Sequence, residues 1–318
     1  MASGDQIKAL LNAYYNNDDR RFKTIALQIA ASEARAGHTV LAREIKEIIE
    51  KSSSNNKIIK MKNDNQLFEC IFSEHREMEL VVSDEIRIRI GRILTEYRQR
   101  EKLRSFGMKN RSKILVEGVP GTGKTLTASI LATELNIPLY TVQMDKLITK
   151  FMGETSVKLR QIFDTIADSK AVFLFDEFDA IGADRSLDNE VGEMRRVLNS
   201  FLQFLENDNS DSIIIAATNN HKMLDQALFR RFDDVLHYDL PDDVQIQQLF
   251  NLKLGEFYTS RAITKRIREM AFGLSHAEIT KVCEDCIKSI ILGDIKLTSQ
   301  LIEKCIKERV EVYVSKEA

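Results

Sequence analysis

The chain has 318 residues, 43% of them hydrophobic, and its 46 Lys and Arg nearly balance 48 Asp and Glu. That is ample apolar material for a buried core and length for about two to three domains, while a formal net charge of -2 gives no bulk attraction to nucleic acid. No run of about eighteen apolar residues is present to span a bilayer, and the polar start Met1-Ala2-Ser3-Gly4-Asp5-Gln6 does not read as a secretory signal, so a soluble, cytoplasmic protein with no membrane segment and no nucleic-acid partner is expected.

In chain order, three apolar stripes come first. Ile7, Leu10, Leu11 and Tyr14 share one helical face; Phe22, Ile25, Ala26, Ile29 and Ala30 share a second; Leu41, Ile45, Ile48 and Ile49 share a third. Asn16-Asn17-Asp18-Asp19 and Gly37-His38 break the pattern between them. The polar run from Lys51 to Asn56 then reads as tether rather than core. The expectation is a small three-helix module over residues 1–51 and a linker over 52–65.

Next comes Gly118-Val119-Pro120-Gly121-Thr122-Gly123-Lys124-Thr125, which fits G-x-x-x-x-G-K-[ST]. Ile114-Leu115-Val116 before it reads as a short buried strand, and Leu126 to Leu135 after it as a helix. Glycines let backbone N–H groups turn inward around phosphates, Lys124 reaches the β and γ oxygens, and the Thr125 hydroxyl can ligate Mg²⁺. Nucleotide binding, ATP or GTP, is therefore expected here.

Ala171-Val172-Phe173-Leu174-Phe175 is the apolar run of a parallel strand buried on both faces, and it ends in Asp176-Glu177. At that carboxyl end Asp176 can hold Mg²⁺, while Glu177, on the other side of the pleat, can polarise a water for attack on the γ-phosphate. Ile213-Ile214-Ile215-Ala216-Ala217 is a third such strand, followed by Thr218-Asn219; an Asn there can orient the attacking water. Arg230-Arg231 follows in Phe229-Arg230-Arg231-Phe232-Asp233; taken alone the pair is a salt-bridged helix end. Beyond Pro241 the stretches 244–257, 264–272, 277–292 and 299–310 have helical apolar periodicity. Cys70, Cys283, Cys286 and Cys305 hold one Cys-x-x-Cys pair inside a helical pattern without a second pair at metal spacing, and reduced structural thiols are expected.

Taken in order, the phosphate loop, the strand ending Asp176-Glu177-Phe178-Asp179-Ala180-Ile181, Ala216-Ala217-Thr218-Asn219, Arg230-Arg231-Phe232-Asp233 and Leu240-Pro241-Asp242 resemble the AAA ATPase family over roughly residues 75 to 312. The resemblance implies a P-loop NTPase of the α/β class with a doubly wound parallel sheet over 66–240, a helical lid over 241–318, and the N-terminal helical bundle as an addition. It implies Mg²⁺-dependent hydrolysis of ATP to ADP and phosphate, with Gly118 to Leu126 and Asp176 around the nucleotide and Thr125 and Asp176 at the metal. Lys124, Glu177 and Asn219 would be catalytic, Asn219 as first sensor, and Arg230 and Arg231 would be arginine fingers reaching a neighbour's nucleotide in a ring, a homo-oligomer of hexamer type.

The same resemblance places Phe151, Met152 and Gly153 in a pore loop that grips extended polypeptide, although a Phe-Met pair alone reads as helix core. Gly273-Leu274-Ser275-His276-Ala277-Glu278 resembles the second-sensor segment, with Ala277 and no arginine, and with His276 where glycine is usual. His276 has two readings here, contact with adenine or ribose, and a helix-capping or surface role. Val119 replaces the usual first proline of the loop, and Asn207-Asp208-Asn209-Ser210-Asp211 stands where Asp-Gly-Phe is usual. The N-terminal helices look like microtubule-interacting-and-trafficking domains, which dock partner helices. Asp18-Asp19-Arg20-Arg21-Phe22 and residues 30–38 resemble bacterial stand-alone AAA ATPases encoded beside subtilisin-like proteases, some in phage-defence operons. Two functional expectations follow: a ring that remodels protein clients chosen by the N-terminal helices, or a nucleotide-gated activator of a partner such as a protease.

Overall fold

The computed structural model describes residues 8, 10, 19–35, 37–38, 41–46, 67–71, 75–148, 154–179, 188–219 and 229–314. The chain forms two compact units, Met1–Ile59 and Lys60–Ala318.

In the first unit, helix α1 (Asp19–Arg35) buries Ile25, Ala26, Ile29 and Ala30 on one stripe. Leu10, Phe22 and Ile45 pack against Ile25 and Ile29, so segments from three parts of the unit share one apolar seam. The helix ends where Gly37 adopts φ +90° and the His38 N–H donates to the Glu33 carbonyl at 3.0 Å, a reversal that suits glycine.

The second unit is built on a six-stranded sheet of order β1-β3-β4-β5-β2-β6. The strands are β1 (Phe68–Ile71), β2 (Lys113–Gly118), β3 (Leu139–Val142), β4 (Val172–Phe175), β5 (Ile213–Thr218) and β6 (Asp234–Tyr238). β1 runs antiparallel to β3 at the edge, and the other pairings are parallel. From β2 the chain crosses to β3, returns through β4 to β5 beside β2, and then passes to β6 on the other flank of β2. Such a reversal opens a crevice at the carboxyl ends of the strands.

β4 and β5 are buried at every residue, because helices cover both faces of the sheet. One face carries α2 (Asp84–Arg98) and α4 (Lys124–Leu135), packed on Ile114, Val116, Leu174 and Ile215. The other carries α6 (Glu154–Ala167) and α7 (Asp188–Asn207). There Phe201 sits at ring-centroid distances of 5.6 Å from Phe163, 5.1 Å from Phe175 and 4.7 Å from Phe178, close enough for edge and tilted aromatic contacts beyond simple area burial. Two short helices, α3 (Arg100–Ser105) and α5 (Met144–Leu147), complete this α/β layer.

The lid comprises α8 (Asp243–Leu254), α9 (Lys265–Ala271), α10 (His276–Gly293) and α11 (Ser299–Val314). The starts of three of them are fixed by side chains: Asp242, Thr264 and Ser275 accept from the N–H groups of Gln245, Ile267 and Glu278. Ile246, Phe250, Ile267, Ile279, Cys283, Cys286 and Ile302 form their common core. Burial raises the thiol pKa values there, that of Cys283 to about 12, so these cysteines are packing groups rather than nucleophiles. The extended residues 80–82 join lid and sheet by alternation, with Leu80 and Val82 in the sheet-side core and Val81 in the lid core.

Candidate nucleotide site

The loop between β2 and α4 is shaped by three glycines of positive φ, Gly118 (149°), Gly121 (77°) and Gly123 (101°). Two of them are enforced by space as well. A Cβ on Gly118 would lie 2.2 Å from the Tyr238 carbonyl oxygen, and one on Gly121 would lie 2.7 Å from the Ser275 Oγ. The loop therefore touches β6 on one side and the lid on the other. The Ala277 N–H donates to the Gly121 carbonyl at 2.9 Å, a main-chain bond between lid and phosphate loop.

Lys124, buried at the first turn of α4, donates from Nζ to the carbonyls of Gly118 (2.8 Å) and Val119 (2.9 Å). Burial lowers its pKa, while Asp176 and Asp179 pull the other way. The Thr122 hydroxyl donates to the Val119 carbonyl at 2.8 Å, bracing the same turn. Thr125 Oγ1 donates to Asp176 Oδ2 at 2.7 Å, so the loop and the end of β4 meet. These are two hard oxygen donors beside a lysine, a donor set that fits Mg²⁺.

The acidic pair is oriented differently from the pleated-strand expectation. β4 ends at Phe175, and Asp176 and Glu177 lie in a turn, where Glu177 adopts φ +52°. The turn is held from both sides: the Glu177 N–H donates to Asp176 Oδ1 at 2.9 Å and the Phe178 N–H to the Ala217 carbonyl at 2.8 Å. Anchoring Phe178 in the core swings the Glu177 side chain out to an exposed position on the cavity wall. Left-handed φ in a non-glycine residue is uncommon and costs about 1–2 kcal/mol. Asp179, which sequence reasoning left without a role, accepts from the Thr218 hydroxyl and the Asn219 N–H, each at 3.3 Å, and so ties the end of β5 to this turn.

Lys124, Thr125, Asp176, Glu177 and Asn219 all line one cavity of about 450 Å³, a size within the ordinary range for small-molecule sites. Pro120 to Leu126 line it, whereas Gly118 and Val119 do not line it and instead accept from Lys124 through their carbonyls. The opposite wall is made by Leu80, Val81, Leu249, His276 and Ala277, with Glu79, Lys253 and Thr280 at the same wall. His276 belongs to this wall, half-buried, and does not cap the helix, a role that Ser275 fills. The contribution of Glu79 to Val81 and of Lys253 was not legible in the sequence. Its one trace is the apolar triplet Leu80-Val81-Val82 ahead of the Ser83 cap of α2.

The two arginines lie outside the cavity and differ from each other. Arg230 is exposed, and Arg231, half-buried, forms an ion pair with Glu206 at the end of α7. Phe151, Met152 and Gly153 lie outside the described residues.

Residues 114–240 match the family model described as ATPase family associated with various cellular activities (AAA). The chain is 35% identical over 302 residues to the AAA family ATPase y4kL of Sinorhizobium fredii, covering 92% of this chain and 90% of that one. It is 31% identical over 247 residues to a putative 26S proteasome regulatory subunit homolog of Methanocaldococcus jannaschii, covering 74% of this chain and 64% of that one. The crystal structure of the FIGL-1 AAA domain superposes with a TM-score of 0.61 at 19% identity, over 80% of this chain and 92% of that one, a likeness of fold. The sheet order, the phosphate loop and these likenesses agree, and the chain belongs to the AAA family of ATPases.

Proposed function

We propose that the chain hydrolyses ATP to ADP and phosphate and couples the cycle to work on a protein. The observation that carries the chemistry is the convergence of Lys124, Thr125, Asp176, Glu177 and Asn219 on one cavity closed by the lid. The loop N–H groups and Lys124 bind the β and γ phosphates, and Thr125 and Asp176 would hold Mg²⁺, which would supply charge neutralisation to the phosphates. Glu177 takes a proton from the attacking water, which Asn219 orients, and the γ-phosphoryl leaves ADP for that water. Arg230 and Arg231 are proposed to act across the interface of a hexameric ring, stabilising charge on a neighbour's transferring phosphoryl.

The ring is proposed to pull polypeptide past Phe151, Met152 and Gly153, with the helices of residues 1–51, a module tethered by 52–65, choosing the client. Kinship with a protein named as a proteasome regulatory subunit homolog supports a protein client over nucleic acid. A second reading, nucleotide-gated activation of a partner such as a subtilisin-like protease in phage defence, without threading, draws on the compact unit Met1–Ile59. The two separate in one experiment. Phe151→Ala and a deletion of residues 1–50 are compared for ATP turnover and for unfolding or activation of the partner that copurifies with a Glu177→Gln bait. Threading predicts that both variants keep turnover within a few fold and that Phe151→Ala abolishes partner function. Full partner function in Phe151→Ala, lost only in the deletion, refutes threading and supports gating.

A further inference from the structure

Glu117 is a buried acid that the proposed chemistry leaves idle. It is the penultimate residue of β2, one step before Gly118 opens the phosphate loop, and it is in register with Thr218 of β5 and His237 of β6. Two residues back along each strand, on the same sheet face, stand the apolar Leu115, Ala216 and Val235. The Glu117 side chain is 8% exposed against 62% for His237, and the two meet through Glu117 Oε1 and His237 Nδ1. Oε2 is closed off from solvent and has no hydrogen-bond partner among the described residues. Main-chain pairing already joins β2 to β6, and a buried ion pair stabilises a fold little better than well-packed apolar groups do. Strand pairing therefore does not account for this acid. Lys124 does not neutralise it either: its Nζ turns to the Gly118 and Val119 carbonyls, and the carboxylates acting on it are Asp176 and Asp179.

We infer that His237 sets the affinity for nucleotide by neutralising Glu117 at the root of the phosphate loop. This rests on the cavity being the nucleotide site. Closed off as it is, Oε2 meets no ligand, so Glu117 acts on phosphates through space. A lone negative charge at the end of β2 opposes the binding of anions to a loop whose N–H groups and Lys124 attract them. Burial leaves that repulsion weakly screened by salt. Paired with the imidazolium of His237, the carboxylate loses its net charge and the opposition is lifted. His237 touches no phosphate; it is a positioning residue, because it acts through Glu117. Unit charges about 10 Å apart, at an effective dielectric constant of roughly 20 to 40, interact strongly enough to change affinity by about five- to twentyfold.

The test is calorimetric titration of the full chain with ADP and with inorganic tripolyphosphate, at one pH and ionic strength, in wild type, His237→Gln, His237→Lys, Glu117→Gln and the double variant Glu117→Gln, His237→Gln. His237→Gln is expected to weaken both ligands by about five- to twentyfold, because both carry the charge that Glu117 repels. His237→Lys, which keeps a cation, and Glu117→Gln, which removes the anion, are expected to bind within about twofold of wild type or more tightly. The double variant is expected to recover the affinity lost in His237→Gln. A pair that only holds β2 to β6 predicts a lower unfolding temperature in both single Gln variants with affinity unchanged, or equal losses of affinity in both; either result overturns the inference. Wild type that binds neither ligand overturns the nucleotide site itself, a separate result. Should His237→Gln not fold, Glu117→Gln decides against wild type: ADP binding as tight or tighter is expected, and a loss of about fivefold or more overturns the inference.

Discussion

Substituting alanine at two glycines of one loop, three positions apart, should produce two different failures. At Gly121, φ is +77° and a Cβ would meet Ser275 Oγ at 2.7 Å and Ala277 Cβ at 3.0 Å, both on the lid. The left-handed backbone costs alanine about 1–2 kcal/mol, and retreat of the lid start loses the Ala277 to Gly121 bond, about 0.5–1.5 kcal/mol more. The sum, about 1.5–3.5 kcal/mol against the docked lid, corresponds to roughly 10- to 300-fold in affinity for ADP. The sheet core does not touch this Cβ, so thermal unfolding of Gly121→Ala should stay within a few degrees of wild type. At Gly118 the clash is with the main chain of β6, 2.2 Å from the Tyr238 oxygen and 2.9 Å from its carbonyl carbon, and no side chain can yield. Gly118→Ala must part β2 from β6 and should lose at least about 3 kcal/mol, enough to deplete soluble protein. Calorimetric ADP titration and thermal unfolding followed by circular dichroism read the two effects separately. Wild-type ADP affinity in Gly121→Ala, or wild-type stability in Gly118→Ala, refutes the reasoning.

Glu177→Gln should keep ATP binding and lose roughly 10² to 10⁴ in turnover, whereas Lys124→Ala should lose binding as well; normal turnover in Glu177→Gln removes it as the base. Arg230→Ala subunits mixed with Glu177→Gln subunits should recover hydrolysis, since one interface then combines an intact base with an intact arginine, and mixed rings as inactive as either parent place the arginine's action within its own subunit. For Arg231, the proposed role at a neighbour's phosphoryl predicts that exchanging the charges of its ion pair with Glu206, Glu206→Arg with Arg231→Glu, does not restore turnover lost in Arg231→Glu alone. A restored exchange variant assigns Arg231 to the ion pair instead, and stability should move by no more than about 1 kcal/mol in either case because both side chains remain more than a third exposed.

Much of the ATPase layer was legible because its signals are local. The apolar runs of β2, β4 and β5 have no exposed face to encode, so each reads as a continuous hydrophobic stretch; Ile213 to Thr218 is buried throughout, as its composition demands. The phosphate loop carries its own geometry in its glycines. The lid helices showed through apolar spacing, and Asp242, Thr264 and Ser275 mark their starts. Glu79 to Val81 and Lys253 were not legible, since nothing in a residue type records that a strand-like linker and a helix 170 residues later form one wall. Likewise the pairing of Arg231 with Glu206 is a tertiary fact, invisible to a motif that treats two neighbouring arginines alike.

The orientation of Glu177 shows most plainly where local rules stop. Alternation along a strand would send Asp176 and Glu177 to opposite faces, and the conclusion that both serve one site would then need a further assumption. The structure needs none, because the strand has already ended. Phe178 must reach the aromatic core against Phe201, 4.7 Å between ring centroids, and its N–H closes on the Ala217 carbonyl of β5. Those two constraints leave one residue in which to turn, and that residue takes the left-handed conformation. The strain therefore falls on Glu177 and is carried by core packing on either side rather than by the carboxylate's own contacts. The backbone path thus brings the Glu177 carboxylate to the cavity by the fold alone, which is the condition under which the proposed general base would gain from position as well as from charge.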